Sequence, residues 1–551
     1  MILDIEITEK SFGAKVLYSD LNLTIQEGEK VGLIGRNGSG KTTLFNIILG
    51  LDTDFQGKVL LKKGKIISSS RQEHFGLDDL TTLDYILKDL PEFSKLHKII
   101  SDYPLQSNPN DNYHSRYSEA VNRFSQLGYY QVENELAKIF DNYQLNPDIL
   151  EKPLKVLSGG QKRLVDLIKI QRSHSDLALI DEPTNHMDFM AKAAFINWLN
   201  NSVEAVLVIT HDRDVLDRVD RIVEIKDGQT VNFKGNYGKY LKVNKSKVTN
   251  QVNEYDLTQK TIENIKSDIT RFRRLKEKSR TPSTIRRFKS LEEKAEKRLI
   301  ELTILEKPSF WIDRESVNDL SPKLQEAYGK YKAKNIRLNT TSKDTNSNRL
   351  LVQSTNLVLG YDKPLFSPIT FDLREGDRLR LHGLNGAGKT TIAKAIIDKI
   401  HQKPEESKIF SGNLAFEKDI VIGVYEQEID EKYLDETIYN VIEKTILQNN
   451  VQVNDQTIKQ LLSQYLFDPN KDIDTPVRLL SGGQKARLQL IKMLSANPSL
   501  LILDEVTNHL DLPSIEELEN AIETYKGAVI YISHDSYFSN RIGGQILSVA
   551  L

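Results

Sequence analysis

The chain contains no cysteine among its 551 residues. Disulfide bonds, thiolate zinc sites and iron–sulfur clusters are therefore excluded. The sequence also lacks any run that approaches the roughly 18 consecutive apolar residues of a membrane-spanning helix. Its opening, MILDIEITEK, carries acidic residues where a secretory signal has a basic start and an apolar centre. We therefore expect a soluble protein of the cytoplasm with no membrane-embedded part.

The chain has little net charge, because 75 basic and 77 acidic side chains leave a formal charge of −2. Any attraction to nucleic acid must then come from local patches and not from the overall field. A composition of 39% hydrophobic and 28% charged residues is typical of globular proteins, and the length suits two or three domains.

An internal repeat organises the sequence. The segment GRNGSGKTT at 35–43 returns as GLNGAGKTT at 383–391, and the motif LSGGQ occurs at both 157–161 and 480–484. In both copies an Asp-Glu pair begins 23 positions after the serine of LSGGQ, and a histidine lies 30 positions after that aspartate. Such self-similarity indicates two domains of one architecture.

The first copy is longer than the second in its front half. Gln72 and Ser158 are 86 positions apart, whereas Gln427 and Ser481 are 54 positions apart. The polar stretch at 101–116 lies between helix-like segments, which predicts a small helical hairpin, or arm, at about 91–126. The predicted domains are 1–238, with this arm, then a linker at 239–348, and 349–551.

The linker between the repeats has no counterpart elsewhere in the chain. It predicts a long polar helix from about Tyr240 to Lys278, roughly 55 Å at 1.5 Å per residue. A turn signal with Pro282 follows, and then a second helical stretch from about Thr284 to Glu306. We interpret the pair as a helical hairpin, followed by a further helix-like piece at 314–334 and a polar tether at 339–348.

Each GxxxxGKT run follows an apolar strand and precedes a helical stretch, the context of a phosphate-binding loop. Glycines let successive backbone N–H groups turn toward phosphates, and the helix that follows offers its positive N-terminus. In this reading Lys41 and Lys389 reach the β and γ phosphates, while Thr42 and Thr390 bind Mg²⁺. The full candidate set comprises Gly35, Asn37, Gly38, Gly40, Lys41, Thr42 and Thr43, and in the second copy Gly383, Asn385, Gly386, Gly388, Lys389, Thr390 and Thr391.

The Asp-Glu pairs end apolar runs that are typical of buried parallel strands. Asp181 and Asp504 are the candidate metal ligands. Glu182 and Glu505 follow them, placed to polarise a water for in-line attack on the γ-phosphate.

His211 and His534 close two further apolar strands. A lone histidine there is more often structural than catalytic, but its duplication at identical spacing favours contact with the γ-phosphate. Gln72 and Gln427 are candidate contacts of the water and the metal, and a plain surface glutamine is the alternative interpretation.

Taken together, these motifs resemble those of the ATP-binding cassette superfamily, over nearly all of the chain except its middle. The resemblance implies an α/β fold with two tandem P-loop cassettes, joined here by the helical hairpin, and an ATPase that uses ATP and Mg²⁺. In that family the LSGGQ motif of one cassette caps the nucleotide of the other. The first pocket would therefore combine Lys41, Asp181, Glu182 and His211 with Ser481, Gly482 and Gly483, and the second Lys389, Asp504, Glu505 and His534 with Ser158, Gly159 and Gly160.

The same resemblance implies that Phe12 and Tyr361 stack on adenine. An aromatic residue near a strand end belongs more often to the core, so that alternative stays open. The cassettes would form an intramolecular pair within a monomer.

Further features are similar to the F subfamily, ABC-F: Thr-Asn-His after each Asp-Glu pair, two fused cassettes, an arm in the first, and a helical linker after Gly-Asn-Tyr. Val506 departs from the usual proline. Members of that subfamily are translation factors and ribosome-protection proteins. The resemblance implies a 70S ribosome partner, with the linker directed from the E site toward large-subunit rRNA, P-site tRNA and the peptidyl-transferase region, and antibiotic resistance as one role.

The predicted tip of the linker gives independent support for RNA binding. Between 271 and 289 there are nine basic residues and one acid, Glu277, a local net charge of +8. Interleaved with Phe272 and Phe288, this cluster suits RNA phosphates and splayed bases better than the usual solvated helix face. The candidate RNA-binding residues are Arg271, Arg273, Arg274, Lys276, Lys278, Arg280, Arg286, Arg287 and Lys289.

Rival functions come from other branches of the same superfamily. A transporter ATPase working with separate membrane permeases is the principal alternative, although the basic hairpin and the arm have no obvious purpose there. Cassette proteins of DNA repair normally bring zinc-binding cysteines, and the ribosome-recycling relative brings an iron–sulfur domain. The absence of cysteine speaks against both.

Overall fold

A computed structural model describes residues 1–13, 15–70, 77–103, 111–185, 187–303, 311, 313–331, 336, 349–401, 407–418, 420–426, 429–448, 454–495, 497–508 and 510–550. The chain divides into two compact units. One unit spans Met1–Tyr237 and Arg337–Leu551 and holds both repeats, and the other spans Gly238–Ile336. Within the described ranges, no helix is both long and apolar enough to cross a membrane.

The first repeat contains two sheets. A six-stranded sheet has the order β5-β6-β7-β3-β8-β9 and is parallel except for its last pair, and an antiparallel three-stranded sheet has the order β2-β1-β4. The central strands read as unbroken apolar runs because both of their faces are buried. The strands are β1 (Leu3–Phe12), β2 (Lys15–Ile25), β3 (Lys30–Gly35), β4 (Gln56–Leu61), β5 (Ile67–Ser69), β6 (Leu177–Asp181), β7 (Ala205–Ile209), β8 (Arg221–Lys226) and β9 (Gln229–Lys234).

Eight α-helices accompany these strands in the described part of the first repeat. They are α1 (Lys41–Ile48), α2 (Thr82–Asp89), α3 (Phe93–Asp102), α4 (Asp111–Gln126), α5 (Val132–Asn142), α6 (Gly159–Ser173), α7 (Phe189–Asn201) and α8 (Arg213–Leu216). Helices α3 and α4 lie within the predicted arm at 91–126. They contact each other through Phe93 and Phe124, whose ring centroids are 5.5 Å apart, and Arg123 pairs with Glu92 at 2.7 Å.

The second unit is helical, with α9 (Tyr237–Lys278) continuing into it from the first unit, then α10 (Pro282–Thr303), α11 (Arg314–Asn318) and α12 (Pro322–Tyr331). The 42 residues of α9 extend over about 63 Å. Toward its start, Val248 and Val252 pack against Ala327 and Tyr328 of α12. The prediction of one helical piece at 314–334 is wrong, because α11 ends before Pro322 and this proline opens a new helix.

The second repeat has the same layout in its described residues. Its five-stranded parallel sheet has the order β14-β15-β16-β12-β17, beside an antiparallel sheet β11-β10-β13. The strands are β10 (Leu350–Gly360), β11 (Ile369–Arg374), β12 (Arg378–His382), β13 (Lys408–Phe416), β14 (Ile422–Tyr425), β15 (Leu500–Asp504), β16 (Ala528–Ile532) and β17 (Gln545–Ser548). The helices are α13 (Lys389–Ile400), α14 (Ile438–Gln448), α15 (Asp455–Gln464), α16 (Gly482–Leu494), α17 (Leu512–Thr524) and α18 (Ser536–Ile542).

The strand that leads into each phosphate-binding loop begins with a cation that binds backbone carbonyls. The Arg378 guanidinium donates to the carbonyl oxygens of Gly527 at 2.9 Å, Ile522 at 2.9 Å and Tyr525 at 2.5 Å, at the end of α17. The Lys30 ammonium donates to Ser202 at 2.8 Å and Glu204 at 2.6 Å, beyond the end of α7. Each cation thus ties a central strand to the C-terminal end of a helix, where carbonyls lack partners.

We expect Arg378→Met to lower the free energy of unfolding by about 2–4 kcal/mol, because partly buried carbonyls lose a charged donor. Lys30→Met should have an effect of the same sign in the first repeat. Denaturant titration of both variants measures it, with Lys408→Met at an exposed strand position as the control. Equal stability of Arg378→Met and the control would show that the carbonyls find other donors.

Candidate functional site

The first phosphate-binding loop connects β3 to α1. Gly38 and Gly40 have φ angles of 80° and 96°, a left-handed conformation that glycine adopts without strain. The Tyr18 hydroxyl donates to the carbonyl of Gly40, and a Cβ on that glycine would lie 2.5 Å from the Tyr18 oxygen. Residue 40 must therefore be glycine if the loop is to keep this shape.

The second loop, between β12 and α13, repeats this geometry. Gly386 and Gly388 have φ angles of 79° and 95°, and a Cβ on Gly388 would lie 2.8 Å from the Phe366 ring. In the two loops the ammonium groups of Lys41 and Lys389 donate to the carbonyls of the first loop glycines, at 2.8 and 2.9 Å. Burial lowers the pKa of both lysines. Both cations lie at the entrance of a helix, where a polyphosphate can bind.

A threonine hydroxyl and an aspartate carboxylate lie close together in each pocket. The Thr42 hydroxyl donates to Asp181 at 3.1 Å, and Thr390 forms the equivalent bond to Asp504. Among the described residues no cluster of three His, Cys, Asp or Glu side chains forms a complete metal cage. This donor set fits Mg²⁺, which takes one or two protein ligands together with phosphate oxygens and water. Gln72 and Gln427 lie outside the described residues.

Glu182 and Glu505 have left-handed backbones, with φ angles of 46° and 52°. Their N–H groups donate to the last carbonyls of the neighbouring strands, Ile209 at 2.8 Å and Ile532 at 3.0 Å. A left-handed conformation costs a non-glycine residue of the order of 1 kcal/mol or more, and such strain concentrates at functional sites. Its presence at both glutamates supports a role in catalysis.

A histidine lies beside each of these glutamates. The Nε2 atom of His211 is 3.5 Å from Glu182 Oε1, and that of His534 is 3.4 Å from Glu505 Oε1. Burial, followed by the adjacent aspartate, raises the pKa of Glu182, and raises that of Glu505 to about 8. Burial and then the loop lysines lower the pKa of both histidines, to about 3 for His534. The histidines are therefore neutral at physiological pH.

The ring nitrogens of His211 and His534 are buried and have no hydrogen-bond partner among the described residues. Buried polar atoms of this kind normally have a partner, so they fit the oxygen atoms of a bound γ-phosphate. The chemistry of each pocket thus comprises a cation for phosphates, oxygen ligands for a metal, a carboxylate and a neutral histidine.

The two repeats face each other across these pockets. A Cβ on Gly483 would lie 2.3 Å from Asn37 Nδ2, so the LSGGQ motif of the second repeat contacts the first loop. Asp511 accepts a bond from the Asn37 backbone N–H at 3.2 Å, and Asp188 accepts one from Asn385 at 3.0 Å. Each loop is therefore contacted by the opposite repeat, and at the first loop this contact includes the LSGGQ motif.

The LSGGQ motifs begin helices with matching caps. The Ser158 hydroxyl accepts from Gln161 N–H while the Gln161 side chain accepts from Ser158 N–H, and Ser481 and Gln484 form the same capping box. Gly159 and Gly160 open α6, and Gly482 and Gly483 open α16. These helix N-termini present backbone N–H groups suited to an anion.

A cavity of about 550 Å³ lies in the first pocket, a size suited to a nucleotide. Its lining includes Phe12, Lys41, Thr42, Glu182 and Gly483. Phe12 is 55% exposed and its counterpart Tyr361 is 45% exposed, so neither ring belongs to the core. The Lys10 ammonium lies over the Phe12 ring, 4.7 Å from its centroid.

Sequence reasoning missed Asp188 and Asp511 as site residues. Both are almost fully buried, cap the first turns of α7 and α17, and contact the opposite loop. Their duplication at identical distances from the Asp-Glu pairs was a signal. Their hydrogen-bond partners left no signal in the sequence, because these bonds join residues of different repeats.

The basic tip of the second unit is divided in the structure. Arg273 pairs with Glu292 and Glu296 at 2.7 Å each, and Lys276 pairs with Glu292 at 2.5 Å, across the two helices. Phe272 and Phe288 lie between the helices with centroids 6.5 Å apart. The remaining seven predicted RNA-binding residues are exposed: Arg271, Arg274, Lys278, Arg280, Arg286, Arg287 and Lys289.

The raised pKa of Glu505 and Glu182 predicts a pH-dependent stability of the nucleotide-free protein. In the folded state these carboxyl groups keep protons that the unfolded state releases above pH 4.5. Their contribution to the free energy of unfolding is therefore complete below pH 4.5 and is lost as the pH rises toward about 8. Glutamine has no proton to release, so we expect Glu505→Gln to unfold at a higher temperature than the parent protein at pH 8. The gain in the free energy of unfolding should be at least about 1.4 kcal/mol, which corresponds to a tenfold difference in proton affinity.

Thermal unfolding between pH 6 and 8.5 tests this expectation, and Glu182→Gln should behave in the same direction. Glu263→Gln, at an exposed position of α9, is the matched control. A parallel pH dependence in Glu505→Gln and the parent would mean that Glu505 is ionised in the folded state.

Comparison with known proteins agrees with this geometry. The sequence model of the family described as "ABC transporter" matches residues 18–185 and 366–508, and a second model of the same description matches 223–309. The chain is 28% identical to the putative ATP-binding protein YdiF of Bacillus subtilis, over 100% of this chain and 80% of that protein. It is 29% identical to ABC transporter F family member 5 of Arabidopsis thaliana, over 99% and 74%.

The fold is also similar to that of solved structures. The structure titled "RNase-L Inhibitor" matches with a TM-score of 0.54 and 16% identity, over 98% of this chain and 87% of that one. The predicted fold class, an α/β protein with tandem P-loop cassettes and a long helical linker, is confirmed. The chain therefore belongs to the ABC transporter family, as a protein with two tandem ATP-binding cassettes that hydrolyses ATP with Mg²⁺.

Proposed function

We propose that the chain is an ABC-F ATPase of the cytoplasm that binds the 70S ribosome at the E site. ATP binding and hydrolysis in the two pockets drive its action on P-site tRNA and the peptidyl-transferase region. The observation that carries this proposal is the exposed basic tip between α9 and α10. The names of the F family relatives support the subfamily. A structure that matches with a TM-score of 0.52 is titled as the complex of an archaeal ribosomal stalk protein and an archaeal ribosome recycling factor.

The tip has the chemistry of an RNA-binding surface. The loop between the helices, 279–281, is short, and the exposed cations lie on both sides of it. Only two cations of the predicted cluster, Arg273 and Lys276, form ion pairs with Glu292. Arg280 lies in the loop and the other exposed cations lie on the two helices, where Lys289 is also 4.0 Å from Glu293. RNA phosphates can replace the counterions bound to these cations. A helix of about 63 Å places these charges far from the start of α9.

The permease-dependent transporter remains the competing function, and no feature of the described residues favours it. Two roles are open within the ribosome proposal. Expression in a susceptible host tests the first role: increased tolerance to lincosamides, pleuromutilins, streptogramins A, phenicols, oxazolidinones or macrolides assigns ribosome protection, and unchanged tolerance counts against it.

We expect Glu182→Gln combined with Glu505→Gln to bind ATP but to release phosphate at least about 100-fold more slowly, because the amide keeps the shape and loses the charge that polarises water. The ATP-bound state should accumulate, so more of the variant should co-sediment with 70S ribosomes in the presence of ATP than of the parent protein.

Lys41→Met combined with Lys389→Met is the control, since it removes the cations that bind phosphate and should abolish ATP-dependent co-sedimentation. Unchanged turnover in the double glutamine variant would remove both glutamates from the mechanism. Loss of turnover with sedimentation alongside membranes, and not ribosomes, would favour the transporter.

We expect charge reversal of Arg274, Arg280, Arg286 and Arg287 to glutamate to weaken ribosome binding and to reduce its salt dependence, because phosphate contacts release counterions. Basal ATPase activity should be retained. Arg273 and Lys276 are left intact, since their ion pairs with Glu292 connect the two helices.

The matched control reverses four exposed cations farther from the tip on the same two helices, Lys266, Lys294, Lys297 and Arg298. It carries the same change in net charge. Equal affinity and salt slope in both variants would show that overall charge, and not the tip, determines binding.

A further inference from the structure

One lysine contacts the histidine loops of both cassettes. Lys192, in the first turns of α7, is 6% exposed. Its ammonium group pairs with Asp212 at 2.8 Å and with Asp214, both just after His211, and donates to the carbonyl oxygen of His534 at 3.2 Å. Burial opposes the charge, but the two aspartates outweigh it and raise the pKa of Lys192. The cation therefore persists at the cassette interface.

The adjacent arginine extends this contact. The Arg213 guanidinium pairs with Glu519 at 2.6 Å and with Asp535 at 3.1 Å, and lies over the Tyr537 ring. All of these partners belong to the second cassette, and Asp535 follows His534 directly. Two cations of the first cassette thus hold the loop that carries the second histidine.

The contacts in the opposite direction, to the loop of His211, come from uncharged side chains. From the second cassette, the Ser536 hydroxyl donates to Asp214 and the Tyr537 hydroxyl donates to Asp217. Both are neutral donors. Their bonds to the carboxylates are charge-assisted but are not ion pairs, so neither of these two contacts brings a cation of the second cassette to the His211 loop.

The repeat itself shows that this asymmetry is built into the sequence. With Asp181 aligned on Asp504, Lys192 corresponds to Ile515 and Arg213 corresponds to Ser536. Ile515 cannot donate a hydrogen bond to the loop of His211. Lys192 and Ile515 line a single cavity of about 30 Å³ together with Glu182, Glu505 and both histidines.

The first cassette makes a further contact with the second. Phe189, at the start of α7, stacks on His382 with centroids 5.0 Å apart and an interplanar angle of 25°. His382 ends the strand before the second phosphate-binding loop. In the aligned repeat the position equivalent to Phe189 is Leu512, which has no aromatic ring. The start of α7 thus contacts both the phosphate-binding strand and the histidine loop of the second pocket.

We propose that Lys192 and Arg213 are positioning residues for hydrolysis in the second pocket, that of Lys389, Glu505 and His534. They hold the His534 loop from the opposite cassette, so hydrolysis in this pocket depends on cassette contact. The His211 loop is held within its own cassette by Lys192, and the first pocket is less dependent on that contact. The two ATP sites are therefore not equivalent.

The test measures each pocket separately by single-turnover phosphate release with radiolabelled ATP. Glu182→Gln leaves only the second pocket active, and Glu505→Gln leaves only the first. In the Glu182→Gln background we expect Arg213→Met to slow the phosphate burst by at least tenfold with the ATP concentration for half-saturation unchanged. In the Glu505→Gln background the rate should stay within about twofold of its parent.

Arg213→Met leaves buried Glu519 paired with Arg541 at 2.9 Å, so the fold retains a partner for that carboxylate. Lys192→Met should also slow the second pocket, and Arg213→Lys should restore most of the rate. Ser536→Ala is the matched control, since it removes a cross-cassette bond to Asp214 and should leave the second pocket within about twofold.

Equal slowing of both pockets by Arg213→Met, or no slowing of either, would overturn the proposal, as would a defect confined to ATP affinity. The two parent variants are measured first, because the inference relies on Glu182 and Glu505 as the groups that activate water. If neither Glu182→Gln nor Glu505→Gln reduces the phosphate burst, the assignment of these glutamates fails. That result is distinct from a failure of the role proposed for Arg213.

Discussion

The structure depends on a bond that neither cassette can make alone. Asp188 accepts a hydrogen bond from the backbone N–H of Asn385, and Asp511 accepts one from that of Asn37, each in the phosphate-binding loop of the other cassette. The same aspartates cap α7 and α17, so each carboxylate fixes the start of its own helix and the opposite loop together. Each candidate nucleotide pocket is therefore formed by residues of both cassettes, and its geometry depends on their interface.

The pockets also store unfavourable energy. Glu182 and Glu505 combine a left-handed backbone with a partly buried carboxyl group next to a second acid, and each of these features opposes folding. The apolar cores beneath them offset that cost, because the central strands of both sheets are buried on both faces. A bound metal cation would reduce the repulsion between the two neighbouring acids, which links metal and nucleotide binding to stability.

The pockets could be predicted from the sequence because their motifs are local and occur twice. The loops around Lys41 and Lys389, the Asp-Glu pairs and the two histidines recur at fixed spacing, and each marks a strand end. Contacts between distant segments could not be predicted in this way. Nothing in the spacing of charges shows that Glu292 binds Arg273 and Lys276, or that α7 and α17 differ in what they offer the opposite cassette. The break before Pro322 was missed because helical periodicity continues across it.

The ion pairs of Glu292 divide the helical hairpin into a stem and a tip. Arg273, Lys276 and Glu292 connect the two helices below the loop at 279–281, together with the facing rings of Phe272 and Phe288. Closing a loop above such a connection costs little more when the loop grows, since each doubling of its length adds only about 0.6 kcal/mol. The tip is thus a modular element. Its length and sequence can diversify among related proteins without disturbing the helices that carry it or the cassettes that hydrolyse ATP.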